Sequence, residues 1–79
     1  MQPLESDHSA ETFQAAEKTV EDKRHVFAVS GSGESTTVAL KVQGTWAKLL
    51  FEQQRSVPIR DGVLLDSFAP YAVHVYEVQ

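Results

Sequence analysis

Apolar and polar positions alternate along most of the chain from residue 24 onward, the signature of half-buried strands. Residues 36–43 give the cleanest case. Val38, Leu40 and Val42 fall on one face, and Thr37, Ala39, Lys41 and Gln43 on the other. Residues 24–30 form a short apolar run rich in β-formers, and residues 46–52 a third run followed by the polar pair Gln53-Gln54. Between these runs lie turn signals: Ser30-Gly31-Ser32-Gly33, read as a hairpin loop, then Gly44, and Asp61-Gly62 between Ile59 and Val63. Residues 55–60 contain Pro58, which cannot donate to a ladder, so they read as an edge strand. Such signals at a spacing of about 8–12 residues predict an antiparallel sandwich or barrel rather than βαβ units.

The two ends of the chain read differently. Residues 71–78 predict a last strand with two largely apolar faces: Tyr71, Val73, Val75 and Glu77 on one, Ala72, His74, Tyr76 and Val78 on the other. A doubly apolar strand in a chain this short calls for a covering surface. Residues 1–10 have little apolar content, an early proline and no periodicity, so they read as a disordered tail or linker. Residues 12–20 are ambiguous. Their residues are good helix formers, Ser9 could cap a helix, and Phe13, Ala16 and Val20 share a helical face. As a strand, the segment would turn at Glu21-Asp22-Lys23 into residues 24–30.

Length and charge narrow the function classes. The 79 residues allow one domain, and a domain near this size buries only about 60% of the surface its unfolded chain exposes. With no cysteine, neither a disulfide nor a Cys-based zinc site is possible. No apolar run approaches the roughly 20 residues of a membrane-spanning helix, and the start lacks the basic and apolar regions of a signal peptide. Residues 1–22 carry six acids and one base, while residues 23–79 carry five acids and six bases. The near-neutral body offers no basic face of the kind nucleic-acid binding needs.

The order of segments resembles a known arrangement. An early HVFAV strand, a Gly/Ser turn, an alternating TTVALKVQG strand, a segment ending in FEQQRSVPIRDG, and then LLDSFAPYAVHVYEV are similar to the small β-sandwich that closes many microbial glycoside hydrolases after a (β/α)8 catalytic barrel. Asp66, Phe68, Pro70, Tyr71, Val73, His74 and Tyr76 match its closing pattern. The resemblance covers residues 24–79 and, more weakly, 12–23 as a leading strand, which tips 12–20 toward a strand against local propensity. It implies a non-catalytic accessory domain, secreted or periplasmic, that packs against a catalytic barrel; a small interaction protein that homodimerises through the same face is a separate alternative. No barrel is present in these 79 residues. The expected fold is therefore all-β: a small antiparallel β-sandwich of about six or seven short strands over residues 12–79, with a flexible N-terminal tail or linker remnant at 1–11. The expected docking face is the second face of the last strand, His74, Tyr76 and Val78.

Residue chemistry gives few catalytic leads. Glycosidic hydrolysis needs two carboxylates flanking the bond; the body offers Glu34, Glu52, Asp61, Asp66 and Glu77, none in a context that predicts a raised pKa. Asp66 fits better as a partner of backbone amides in the 66–70 crossover. Pro70 prevents the preceding strand from continuing, and Phe68 and Tyr71 would plug the end of the sandwich. His8, His25 and His74 lack the ligand spacing of a zinc site, although His25 and His74 could be neighbours if their strands pair. Ser67 lacks a glycine-flanked nucleophile elbow, and the Ser30–Gly33 cluster lacks the Lys-Ser/Thr and helix of a phosphate loop. No cofactor is expected. Trp46, Tyr71 and Tyr76 leave a rival reading as a carbohydrate-binding module, in which aromatic rings stack on sugar.

Overall fold

The computed structural model describes residues 2–9, 11–51 and 55–79. Among these the chain is all-β, with eight strands: β1 (Gln2–Pro3), β2 (Phe13–Val20), β3 (Lys23–Ser30), β4 (Thr36–Lys41), β5 (Trp46–Leu50), β6 (Ser56–Arg60), β7 (Val63–Phe68) and β8 (Val73–Val78). They form one curled antiparallel sheet in the order β1-β2-β3-β8-β5-β6-β7-β4. The six or seven strands expected in two layers give way to this continuous sheet because β6 pairs with both β5 and β7, joining the walls.

Local chemistry accounts for the hairpins. Asp61 and Gly62 both adopt positive φ, so a two-residue turn joins β6 to β7 with Arg60 opposite Val63. Glu21 and Asp22 do the same between β2 and β3, without a glycine to ease the left-handed geometry. Residues 13–20 are thus a strand, as the resemblance implies, and not the helix their propensities favour. Pairing with β3 along the whole of β2 satisfies the backbone that a helix would satisfy internally. The Ser30–Gly33 cluster is not a hairpin. β3 is flanked by β2 and β8, whereas β4 lies beside β7, so this loop carries the chain from one wall to the other.

The N-terminal segment departs most from expectation. Instead of a tail, residues 2–7 bridge the sheet's two long outer strands. Gln2 and Pro3 pair with Glu17 and Ala16 of β2, and the Leu4 amide donates to Ala15. Beyond that point the Lys41 amide donates to the Glu5 carbonyl, the Asp7 amide donates to the Ala39 carbonyl, and the Ala39 amide donates to the Asp7 carboxylate. Open strand edges present unpaired backbone groups, and this segment satisfies them on both sides of the seam. The folded unit therefore begins well before residue 12. Met1 and Ala10, also assigned to the tail, lie outside the described residues, as do Glu52, Gln53 and Gln54.

The core lies inside the curl. Val38, Leu40 and Val42, Val26 and Ala28, Ala47 and Leu49, Leu64 and Phe68, and Tyr76 and Val78 are buried there. Phe13 meets Phe68 edge-on at 5.1 Å, and Phe68 stacks on the His74 ring at 4.1 Å. These contacts connect strands of opposite walls.

Candidate functional site

The closing segment builds a buried polar network. Asp66 points inward from β7, and His74 and Tyr76 point inward from β8; all three are buried. The Tyr76 hydroxyl donates to Asp66 Oδ2 at 2.6 Å, Arg55 Nη2 donates to the same oxygen at 3.0 Å, and the Ser67 amide donates to Oδ1 at 2.8 Å. His74 Nδ1 lies 3.0 Å from the Tyr76 oxygen and 3.2 Å from Asp66 Oδ2. With the Tyr76 proton directed to Asp66, Nδ1 is the ring nitrogen that carries hydrogen toward them. Burial pushes the Asp66 carboxyl pKa up, but Arg55, then Tyr76, then the Ser67 amide outweigh it and hold it below the usual carboxylate range. Asp66 does accept from a backbone amide in the crossover. The residue reading missed both side-chain partners: Arg55 reaches Asp66 from just before β6, the strand paired with β7, and Tyr76 reaches it from β8 across the curl.

This placement corrects the expected docking face. His74, Tyr76 and Val78 are covered by the chain's own walls, not turned toward a partner. Strand alternation sends the other set outward, Val73, Val75 and Glu77. Registers place their neighbours. One row across the outer face reads Gln14, Val29, Val73; the next reads Ala16, Phe27, Val75, Leu50; a third reads Lys18, His25, Glu77, Lys48. Two largely apolar rows are thus bordered by a charged one. Val29 is 44% exposed, Val73 53%, and Phe51, just past Leu50, 91%. Phe51 also has φ of +65°, a conformation rarely held by a bulky residue. A groove of about 470 Å³ opens at the β2 side of this face, lined by Pro3, Leu4, Phe13, Gln14, Ala15, Ala16, Phe27 and Val29.

The aromatic set for sugar stacking does not assemble. Tyr76 is fully buried. Trp46 is level with Gln79 at the end of β8, while Tyr71 precedes its start, where its amide donates to the Ser32 carbonyl. Roughly 25 Å of strand separates the two exposed rings. Phe68 fills the interior as expected, whereas Tyr71 is 68% exposed beside Gly33.

The other candidates are dispersed. His25 and His74 lie on paired strands but on opposite faces, since His25 is registered with Glu77 and His74 with Ala28. Asp61 sits in the β6–β7 turn, Glu34 in the loop before β4, and Glu77 on the outer face 3.8 Å from Lys23; Glu52 lies outside the described residues. Among the described residues no three His, Asp or Glu side chains group as metal ligands. No family model matches the chain, and a search of curated proteins gives no match.

Proposed function

We propose that this chain is a non-catalytic accessory domain of the type that accompanies (β/α)8 glycoside-hydrolase barrels, and that its role is to bury the outer face of β2, β3, β8 and β5 against a partner surface. In this reading the walls of the curled sheet serve as the two layers of the accessory sandwich. The observation that carries it is the pair of apolar rows from Ala16 and Val29 to Leu50, with Phe51 exposed at the end of β5. Contiguous exposed apolar surface on a small domain marks an interaction site. The absence of catalysis is consistent with Asp66, the one buried carboxylate among the described residues, being committed to Arg55 and Tyr76 inside the core. The test uses a (β/α)8 glycosidase barrel stripped of its own C-terminal sandwich. Adding the chain is expected to raise the barrel's Tm, and Val29→Lys with Val73→Lys is expected to abolish the rise while the variant's own circular dichroism stays unchanged. An identical response from both proteins, or none from either, overturns the reading, as does turnover of aryl glycosides by the chain alone.

A further inference from the structure

Residues 2–8 occupy the seam between β2 and β4, and we propose that this seam is a strand-addition site for an extended segment of a partner protein, with residues 2–8 as its displaceable placeholder. The fitting segment carries aliphatic residues at alternate positions and runs antiparallel to β2. The seam is a different surface from the outer face, so the inference goes beyond docking of that face. Without residues 2–8, β2 and β4 end the sheet order as two edges, and open edges are templates for pairing. The resident segment serves each edge in part. Residues 2–4 run along β2 between Ala15 and Glu17, and residues 5–7 along β4 between Ala39 and Lys41. β2 runs on to Val20 and β4 begins at Thr36, so each edge is longer than the stretch these residues pair with.

The side chains of the segment fit the seam poorly. Leu4, Ser6 and His8 are half-buried, while Pro3, Glu5 and Asp7 are exposed, the alternation of a strand with one inward face. Leu4 packs against the core. Ser6 stands opposite buried Leu40, and its hydroxyl turns back to donate to the His8 carbonyl at 3.1 Å. The His8 ring lies 6.5 Å from that of Phe13, with Nδ1 drawn 2.7 Å from the Asp7 carboxylate. Polar side chains thus occupy inward positions against the apolar Leu40 and Phe13. Two grooves, of about 470 and 360 Å³, both include Leu4 in their lining, so the seam is incompletely filled around its apolar residue. The exposed Glu5–Lys41 ion pair at 3.4 Å adds little hold, and a segment with so few buried contacts opens locally ahead of the core. An incoming strand with aliphatic side chains at these positions keeps the backbone bonds and buries more apolar surface. Residues 2–8 of a second copy bring the same Ser6 and His8 without the advantage of an intramolecular tether, which is why the occupant is a foreign segment.

The probe is a dye-labelled synthetic peptide with the sequence of residues 2–9 carrying Ser6→Val and His8→Val, titrated with the full chain and followed by fluorescence anisotropy. Saturable binding below about 1 mM is expected, and weaker binding of the peptide without the two substitutions. Pro3 and Ala16 are cross-strand partners beside the Leu4–Ala15 backbone bond, and the chain has no cysteine of its own. Pro3→Cys with Ala16→Cys therefore locks the resident segment by a disulfide; the oxidised form is expected to bind the peptide at least about tenfold more weakly, and reduction to restore binding. Leu4→Ala loosens the placeholder and is expected to tighten peptide binding roughly threefold or more, with circular dichroism unchanged. No binding up to about 1 mM overturns the inference. So does binding indifferent to oxidation of the locked variant or to Leu4→Ala, failure of the cross-link to form, or a dimer of the unmodified chain that the same lock abolishes, which would make the occupant a second copy. The peptide titration leaves the outer face untouched, so its failure leaves the docking reading standing.

Discussion

Replacing Tyr76 by Phe removes a single oxygen from a fully buried position. That oxygen donates to Asp66 at 2.6 Å and lies 3.0 Å from His74 Nδ1. The ring and its packing remain, so no large cavity forms. What is lost is a hydrogen bond to a buried carboxylate, which contributes about 1.5–3 kcal/mol. Arg55 and the Ser67 amide still hold Asp66, which keeps the cost within that range rather than at the penalty of an unpaired buried charge. A chain of this size has a total stability of about 4–12 kcal/mol, so the substitution removes a large fraction of it. One kcal/mol corresponds to about 4–8 °C in Tm for such a domain, so a fall of about 6–24 °C is expected. Urea unfolding followed by circular dichroism measures the free energy, with exposed Tyr71→Phe as the control expected to stay within about 0.5 kcal/mol. The double mutant with Asp66→Asn separates the pair's coupling from the individual losses. A Tyr76→Phe protein within about 0.5 kcal/mol of the parent, or additive losses in the cycle, would refute the view that this network holds the two walls together.

The pH dependence follows from the same carboxylate. Asp66 has a lower pKa folded than unfolded, so its stabilisation is complete above the unfolded carboxylate value of about 3.9 and is lost as pH falls through the folded one. Asp66→Asn should lower stability at neutral pH and flatten the acid limb of a Tm-versus-pH curve; an unchanged acid limb would show that other carboxylates govern it. At the β2–β3 turn, Glu21→Asn with Asp22→Gly places preferred residues at two positive-φ positions. Relief of about 1–2 kcal/mol is expected as a higher urea midpoint at unchanged slope, and a lower midpoint would contradict the turn geometry.

Several elements were legible in the residues alone. The alternation of Val38, Leu40 and Val42 marked a core face, and all three are buried. Asp61-Gly62 fixed a hairpin because two left-handed positions in succession leave few residues able to occupy them. Residues 12–20 were not legible, since helix propensity is a weak prior that strand pairing overrides. Nor was the N-terminal segment: a short polar stretch shows no periodicity, and it is ordered mainly by backbone hydrogen bonds to β2 and β4, with the Asp7 carboxylate accepting from the Ala39 amide.

The last strand divides the two kinds of information most clearly. The sequence by itself determined that residues 73–78 have period-two faces and that both faces hold apolar groups. Only the tertiary structure decided which side is which. It turned His74 and Tyr76 inward, because Asp66 and Arg55 gather there from distant positions to satisfy their polar atoms, and a buried polar group survives only where such partners converge. Val73 and Val75 were left outside beside Phe27 and Val29 for the complementary reason: apolar side chains carry no partner requirement, so the strand can present them to water or to another surface.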